Sequence, residues 1–275
     1  MLRATADERD FLSHVISANV LTNGAFIDSN GRQVGIDSQL VGSGGVTKLG
    51  PGAVDLRGPT FLGELSTVDA GKLLVNGRFS GDIRVNAGAT LGGNGQVVGA
   101  VEVLPGGFLS PGNSPGNLTI GSLVLGSGSH LLIELGALSD HLTVDGDLTL
   151  AGFIDFVGDP ASLTSGTLPN FLSYSGTLTD LGIAIGSLPE GVDPQSFHLD
   201  FSTPGLVALG INGTIPTPVP EPSTTALMLL GLAAVLAQRT MELAAARKVN
   251  KQRRHDKAAS ARDSLASPEQ AAMRA

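Results

Sequence analysis

Short apolar runs separated by small polar residues dominate the chain from about residue 21 to residue 211. Each run has only a few Val, Leu, Ile or Thr residues, which is enough for a strand and too short for a helix. Gly, Asn and Asp stand between the runs, and these residues mark tight turns. The pattern therefore predicts an all-β chain of many short strands. The clearest runs are 53–56, 72–75, 82–85, 101–104 and 141–144.

An internal repeat organises these runs. Ala70-Gly71, Ala87-Gly88 and Pro105-Gly106 each open a small-Gly-x-x-apolar segment, so the segments start at positions 70, 87 and 105. This spacing fits one coil of a parallel β-helix, because a single coil cannot bury its apolar face whereas stacked coils can. An antiparallel sandwich with frequent glycine turns is the alternative. We assign residues 21–150 to the repeat region and expect 151–213, where the repeat fades, to form a β-rich cap.

The two ends of the chain have a different composition. Residues 1–20 form a separate segment for which a short helix is one expectation, and charged side chains there interrupt any secretory apolar stretch. Residues 214–223 are Pro-rich and predict an extended linker. The following apolar stretch predicts a transmembrane helix over 224–238, with a buried core helix as the alternative. Because positive residues stay cytoplasmic, the basic tail 239–275 places the β-region on the outer side of the inner membrane.

Charge excludes several classes of function. Residues 1–238 hold 8 Lys and Arg against 21 Asp and Glu, a net charge of −13. No Lys or Arg occurs from Val85 to Gln238, so this region cannot neutralise phosphates. We therefore expect no nucleic-acid partner and no phosphate-handling enzyme. The absence of Cys also excludes thiol catalysis, thiolate zinc sites and disulfides.

Candidate catalytic residues are few and weak. Gly112–Gly116 matches the G-x-S-x-G pattern, but Pro115 has no N–H to serve as the oxyanion donor after the Ser, so we interpret the segment as a turn. Four carboxylates raise the hypothesis of a glycosidase pair or a calcium site, although solvated turn residues are the interpretation we favour: Asp140, Asp145, Asp147 and Asp155. Three scattered histidines lack metal-ligand spacing: His130, His141 and His198. The sequence thus predicts no catalytic residue, no metal and no cofactor.

One family resemblance covers about residues 41–150. Residues 46–77, and after them 88–95 and 109–118, resemble the autotransporter-associated β-strand repeat, and 199–206 is typical of the end of such domains. The resemblance implies a right-handed parallel β-helix, export and a surface role. It implies no particular activity.

A second resemblance lies at the C-terminal end. Pro220, Glu221 and Pro222, then a short apolar helix, then Arg239 resemble a PEP-CTERM sorting signal. This resemblance implies recognition by an exosortase, with those three residues as the sorting motif and Arg239 as the basic residue after the helix. The chain departs from the family in its long tail after Arg239 and in lacking a signal peptide. We therefore expect the natural start to lie further upstream.

These features together predict a non-catalytic, exported β-helix protein of the cell surface or extracellular matrix. Its partners would be an exosortase for processing, the membrane through residues 224–238 in an inner-membrane-anchored precursor, and extracellular polysaccharide as a candidate ligand. A passenger fragment of an autotransporter-type adhesin is the alternative. A polysaccharide-active β-helix enzyme is a further alternative, although such lyases need a cationic base or clamp that the Val85–Gln238 stretch does not offer.

Overall fold

The computed structural model of the 275-residue chain describes residues 1–12, 14–113, 115–136, 139–159 and 170–211. In this part the chain winds through three stacks of short strands per coil, and each strand pairs in parallel with its counterpart in the next coil. One stack contains eight strands, which gives seven steps from coil to coil. The predicted all-β parallel solenoid is confirmed.

The strands are numbered in chain order. Stack 1 contains β2 Ser17–Val20, β5 Gln39–Gly42, β8 Thr60–Leu62, β11 Arg78–Ser80, β18 His141–Val144 and β21 Asn170–Tyr174. Stack 2 contains β1 Leu2–Arg3, β3 Ala25–Asp28, β6 Val46–Leu49, β9 Ser66–Val68, β12 Ile83–Val85, β19 Leu148–Leu150 and β22 Leu178–Asp180. Stack 3 contains β4 Arg32–Ile36, β7 Gly52–Leu56, β10 Gly71–Val75, β13 Ala89–Gly93, β15 Phe108–Pro111, β17 His130–Leu135, β20 Phe153–Gly158 and β23 Ala184–Ile185. Two longer strands pass from stack 1 into stack 2: β14 Gln96–Val103 and β16 Asn117–Leu125.

The core consists of aliphatic columns inside the coils. Successive side chains of a strand point to opposite faces, so about every second residue of a strand points inward. The inward column of stack 3 is at most 2% exposed and runs through Val34, Val54, Leu73, Leu91, Leu109, Leu131 and Ile154. Burial of one such side chain contributes about 1.5–3 kcal/mol, so stability accumulates coil by coil.

The register differs by one position from the predicted repeat at its first step. Leu73 pairs with Leu91, which in turn pairs with Leu109, so the two steps are equal in length. The predicted alignment of Ala70 with Ala87 instead matched Leu74 with Leu91. In the structure Leu74 pairs with Gly92 and faces outward, because side chains alternate along a strand and a slip by one position exchanges the two faces.

The N-terminal segment forms strands in place of the short helix that was one expectation for residues 1–20. β1 pairs with β3 and β2 pairs with β5, both in parallel. Between them, Glu8 bridges to Val34 and the Phe11 N–H donates to the Gly35 carbonyl. The segment thereby adds an irregular first coil, because the upper edges of β3, β4 and β5 need hydrogen-bond partners.

Parallel pairing continues beyond residue 150. β22 pairs with β19, and β23 pairs with β20. A 3-10 turn, Pro194–Ser196, then leads into an antiparallel hairpin of β24 Phe197–Asp200 and β25 Leu206–Ile211. β25 also pairs antiparallel with β21, so the hairpin covers the edge of the last strand of stack 1.

The predicted linker 214–223, transmembrane helix 224–238 and basic tail 239–275 lie outside the described residues. Within the described ranges, no helix has the length and apolar character needed to span a membrane.

Candidate ligand-binding groove

The outer face of stack 3 carries two columns of outward side chains. The first column runs through Gln33, Ala53, Lys72, Thr90, Phe108, His130 and Phe153. The second runs through Asp55, Leu74, Gly92 and Ser110. Each column collects residues that are about one coil apart in sequence, so the face brings together side chains that no local motif connects.

A groove of about 710 Å³ follows this face. It reaches from Gln33 on β4 to Val157 on β20, and thus crosses seven successive strands of stack 3. Seven strands are separated by six spacings of about 4.8 Å each, so the groove is roughly 29 Å long. Gly92 lies in the floor between Leu74 and Ser110, where a Cβ would come within 2.5 Å of the Ser110 carbonyl oxygen. Lys72 and Thr90 line the middle of the groove on β10 and β13. The end near β17 is lined by Asn113, Leu132, Glu134 and Asp140.

Three rings form a ladder beside the groove. Phe108 stacks on His130 with ring centroids 5.1 Å apart and an angle of 20° between the planes. His130 is followed by Phe153, with centroids 5.4 Å apart and a tilt of 31°. These separations are in the range at which aromatic pairs attract each other. The ladder therefore fixes three partly exposed rings along the solenoid axis.

Hydrogen bonds hold the central ring. His130 Nδ1 lies 2.6 Å from Asp155 Oδ2, and the Ser187 hydroxyl donates to the other carboxylate oxygen over 2.8 Å. Because a carboxylate only accepts, the proton in this bond sits on Nδ1. The side chain of Asp155 is 13% exposed and that of His130 is 30% exposed, so the pair is only partly screened by water.

Asp140 closes the groove at one end as a buried acceptor. Its carboxylate accepts from the backbone N–H groups of Gly116 and Glu134 over 2.9 and 3.0 Å. Burial raises the pKa of the Asp140 carboxyl, although both backbone hydrogen bonds act in the opposite direction. Asp140 thus pins the turn that follows β15 to the end of β17.

Comparison with known proteins identifies the C-terminal part of the chain. Residues 218–241 match the family model described as the PEP-CTERM protein-sorting motif. The chain carries a PEP-CTERM sorting motif. A stretch of 157 residues is 38% identical to the adhesin BmaC autotransporter of Brucella suis biovar 1 (strain 1330). That alignment covers 51% of this chain and 4% of the adhesin. Both resemblances predicted from the sequence, the sorting signal and the autotransporter-associated repeat, are confirmed.

The predicted sorting residues fall within the PEP-CTERM match but outside the described part of the chain. Pro220, Glu221, Pro222 and Arg239 all lie between residues 218 and 241. Their roles in sorting therefore stay predictions.

The four carboxylates singled out in the sequence are not brought together. Asp140 is buried at the end of the groove, and Asp155 lies under His130 on the outer face. Asp147 accepts from the Thr177 N–H over 2.8 Å at a turn between stacks 1 and 2, and Asp145 is exposed in the same turn. Among the described residues, no three His, Asp or Glu side chains converge as metal ligands would. His141 contacts Ser173 and the carbonyl of Asn170, away from His130.

The aromatic ladder was not predicted. The steps from Phe108 to His130 and from His130 to Phe153 are both longer than the repeat detected in the sequence, which is the step from Leu91 to Leu109. Aligning the three rings in the sequence would have required the length of each coil in that region. The pattern of apolar residues alone does not give that length.

Proposed function

We propose that this chain is a non-catalytic protein of the bacterial cell surface or extracellular matrix, exported and then sorted by an exosortase. The observation that carries the proposal is the PEP-CTERM match at 218–241, which follows a parallel β-solenoid in the sequence. The similarity to an autotransporter adhesin supports a surface location. We extend the proposal to a right-handed coil, which is the hand that nearly all parallel crossovers adopt.

The proposed precursor is anchored in the inner membrane by residues 224–238. The sequence supports this with an apolar stretch over 226–237 and nine Lys and Arg in residues 239–275. The basic tail would remain cytoplasmic, and the acidic solenoid would lie outside. The mature form would reside at the cell surface or in the matrix.

The proposed role of the solenoid is mechanical and adhesive. Stacked coils give a stiff element with long polar faces, and function would lie in the contacts that those faces make. Residues 85–211 contain no Lys or Arg that could neutralise phosphates, which supports a partner other than nucleic acid.

Sorting can be tested by replacing the three signature residues and measuring the cellular location and the C-terminal cleavage of the protein. In a host that has an exosortase, and with a secretory signal peptide fused before Met1, we expect wild-type protein to reach the outer fractions with a shortened C-terminus, as measured by fractionation and mass spectrometry. The triple change Pro220→Ala, Glu221→Ala and Pro222→Ala should leave uncleaved protein in the membrane fraction. Pro216→Ala, in the same Pro-rich linker but outside the matched segment, is the control and should behave as wild type. Full-length wild-type protein in the cytosol would refute the proposal.

A further inference from the structure

We propose that the groove on stack 3 binds a single chain of an uncharged polysaccharide, laid along the solenoid axis with one sugar ring stacked on Phe108. The proposal rests on the proposed surface role and deepens it by naming the site and the class of ligand.

The shape of the groove favours a linear polymer. It is about 29 Å long, as the spacing of its seven strands gives, while its volume is only about 710 Å³. A compact ligand would leave most of this length empty, whereas a single extended chain fills it. Equivalent outward positions also recur at each coil, so a polymer of repeating units meets repeating polar groups.

Phe108 offers an aromatic face next to the groove. One face of its ring packs on His130, which belongs to the next coil. The opposite face therefore turns towards the preceding coil, where the register partner is Thr90. Thr90 lines the groove, and its short side chain cannot cover a phenyl ring. The apolar C–H face of a sugar ring can pack there while its hydroxyl groups reach the groove walls.

The ring behind Phe108 is held in place. Asp155 accepts from His130 Nδ1, Ser187 donates to Asp155, and Phe153 packs on the far side of His130. His130 and Asp155 are therefore positioning residues for the Phe108 platform. A platform whose rotamer is fixed in advance loses less conformational entropy when a ligand binds.

The charges on the groove favour an uncharged ligand. Four lining side chains are uncharged and can donate or accept hydrogen bonds: Gln33, Thr90, Ser110 and Asn113. Lys72 is the one basic residue among the described lining residues, and the acids are Glu134 and the buried Asp140. A polyanionic glycan would meet coils that carry no Lys or Arg from Val85 onwards, so long-range repulsion disfavours it.

The test measures binding of the full-length protein to soluble polysaccharides by affinity electrophoresis and calorimetry. The uncharged probes are a β-1,4-glucan, a β-1,3-glucan, a mannan and a dextran, with alginate as polyanion and chitosan as polycation. We expect binding to at least one uncharged probe and at least tenfold weaker binding by Phe108→Ala. Phe61→Ala is the matched control, because it removes an exposed phenyl ring from stack 1, on a face of the solenoid away from the groove. It should bind within twofold of wild type.

Three outcomes overturn the proposal. Equal losses in the two variants would place binding outside the groove, and binding of alginate or chitosan alone would refute the ligand class. Absence of binding to every uncharged probe would also refute it, while normal export and C-terminal cleavage in the fractionation test would leave the proposed function standing. Release of new reducing ends with intact binding would contradict only the non-catalytic part of the proposed function.

Discussion

Lys48 occupies an inward position that other coils fill with aliphatic residues. Its register partners in stack 2 are Ile27 on one side and Val68 on the other, and its side chain is fully buried. Nζ donates to the carbonyl oxygens of Leu49, Gly50 and Ala70 over 3.0, 2.7 and 2.8 Å. An ammonium group has three N–H donors, so all three are used. Burial nevertheless lowers the pKa of Lys48 to about 8, although Asp28 raises it.

This pKa predicts a stability that rises with pH. Folded Lys48 releases its proton near pH 8, whereas the unfolded chain keeps it to about 10.5, so the unfolded state binds more protons between these values. The free energy of unfolding should therefore increase across this window, by at most about 3 kcal/mol. Urea unfolding of wild type and Lys48→Met between pH 7 and 10 would measure it. The wild type should gain stability relative to the variant, with exposed Lys72→Met as the control. A pH-independent difference would contradict the prediction.

Sequence reasoning identified the short strands and the parallel solenoid, but it did not identify the inward register or the outer site. Alternation alone indicates that Val46 and Lys48 share a face, but it does not show that this face is the core. The acidic residues were visible in the sequence, yet the contact of Asp155 with His130 joins two successive coils. Such contacts depend on the length of each coil, which increases from the Leu91–Leu109 step to the Leu109–Leu131 step, so no fixed period reveals them.

At the scale of elements, the turns between stacks 3 and 1 explain two of the Asn-Gly pairs. Asn76 donates to Asp55 and accepts from the Asn94 N–H, so the turns are tied to one another from coil to coil. Asn-Gly pairs commonly mark turns in which the Gly has positive φ, and Gly24 and Gly31 have it. Gly77 and Gly95 do not. Glycine is required at these two positions because the backbone of the preceding coil is close. A Cβ on Gly95 would lie 2.1 Å from the Gly77 carbonyl oxygen.

Two glycine substitutions separate these reasons. Gly95→Ala should lower the free energy of unfolding by more than about 2 kcal/mol, since a coil carbonyl must move. Gly88→Ala should lower it by only about 1 kcal/mol, because Gly88 has φ +76° but open space around it. Urea unfolding of both variants measures the contrast. Equal effects would mean that the turns adjust freely and that close stacking is not what selects glycine at position 95.

At the scale of the whole molecule, charge is distributed unevenly along the solenoid. Residues 1–84 carry 8 Lys and Arg against 9 Asp and Glu, whereas residues 85–211 carry 11 Asp and Glu and no Lys or Arg. The Arg ion pairs between coils all draw their cation from residues 1–84. They are Arg3–Asp28, Arg57–Asp37 and Arg84–Glu102. The later coils are stacked by aliphatic columns, backbone hydrogen bonds and side-chain contacts such as that of His130 with Asp155, so the solenoid continues without Lys or Arg ion pairs.

Coil modularity predicts that one complete coil can be removed. Deletion of residues 76–93 joins Val75 to Asn94, which takes the place of Asn76, and leaves Leu73 paired with Leu109 because the two steps are equal in length. We expect wild-type β-sheet circular dichroism, cooperative unfolding and a urea m-value lowered by the loss of one coil's buried surface. Deletion of residues 73–89 is the matched control. It joins Lys72 to Thr90 inside the strand, which puts Thr90 and Gly92 at the inward positions of Leu73 and Val75 and turns Leu91 outward. Soluble, equally stable protein from both deletions would show that the register between Leu73, Leu91 and Leu109 does not determine how the coils stack.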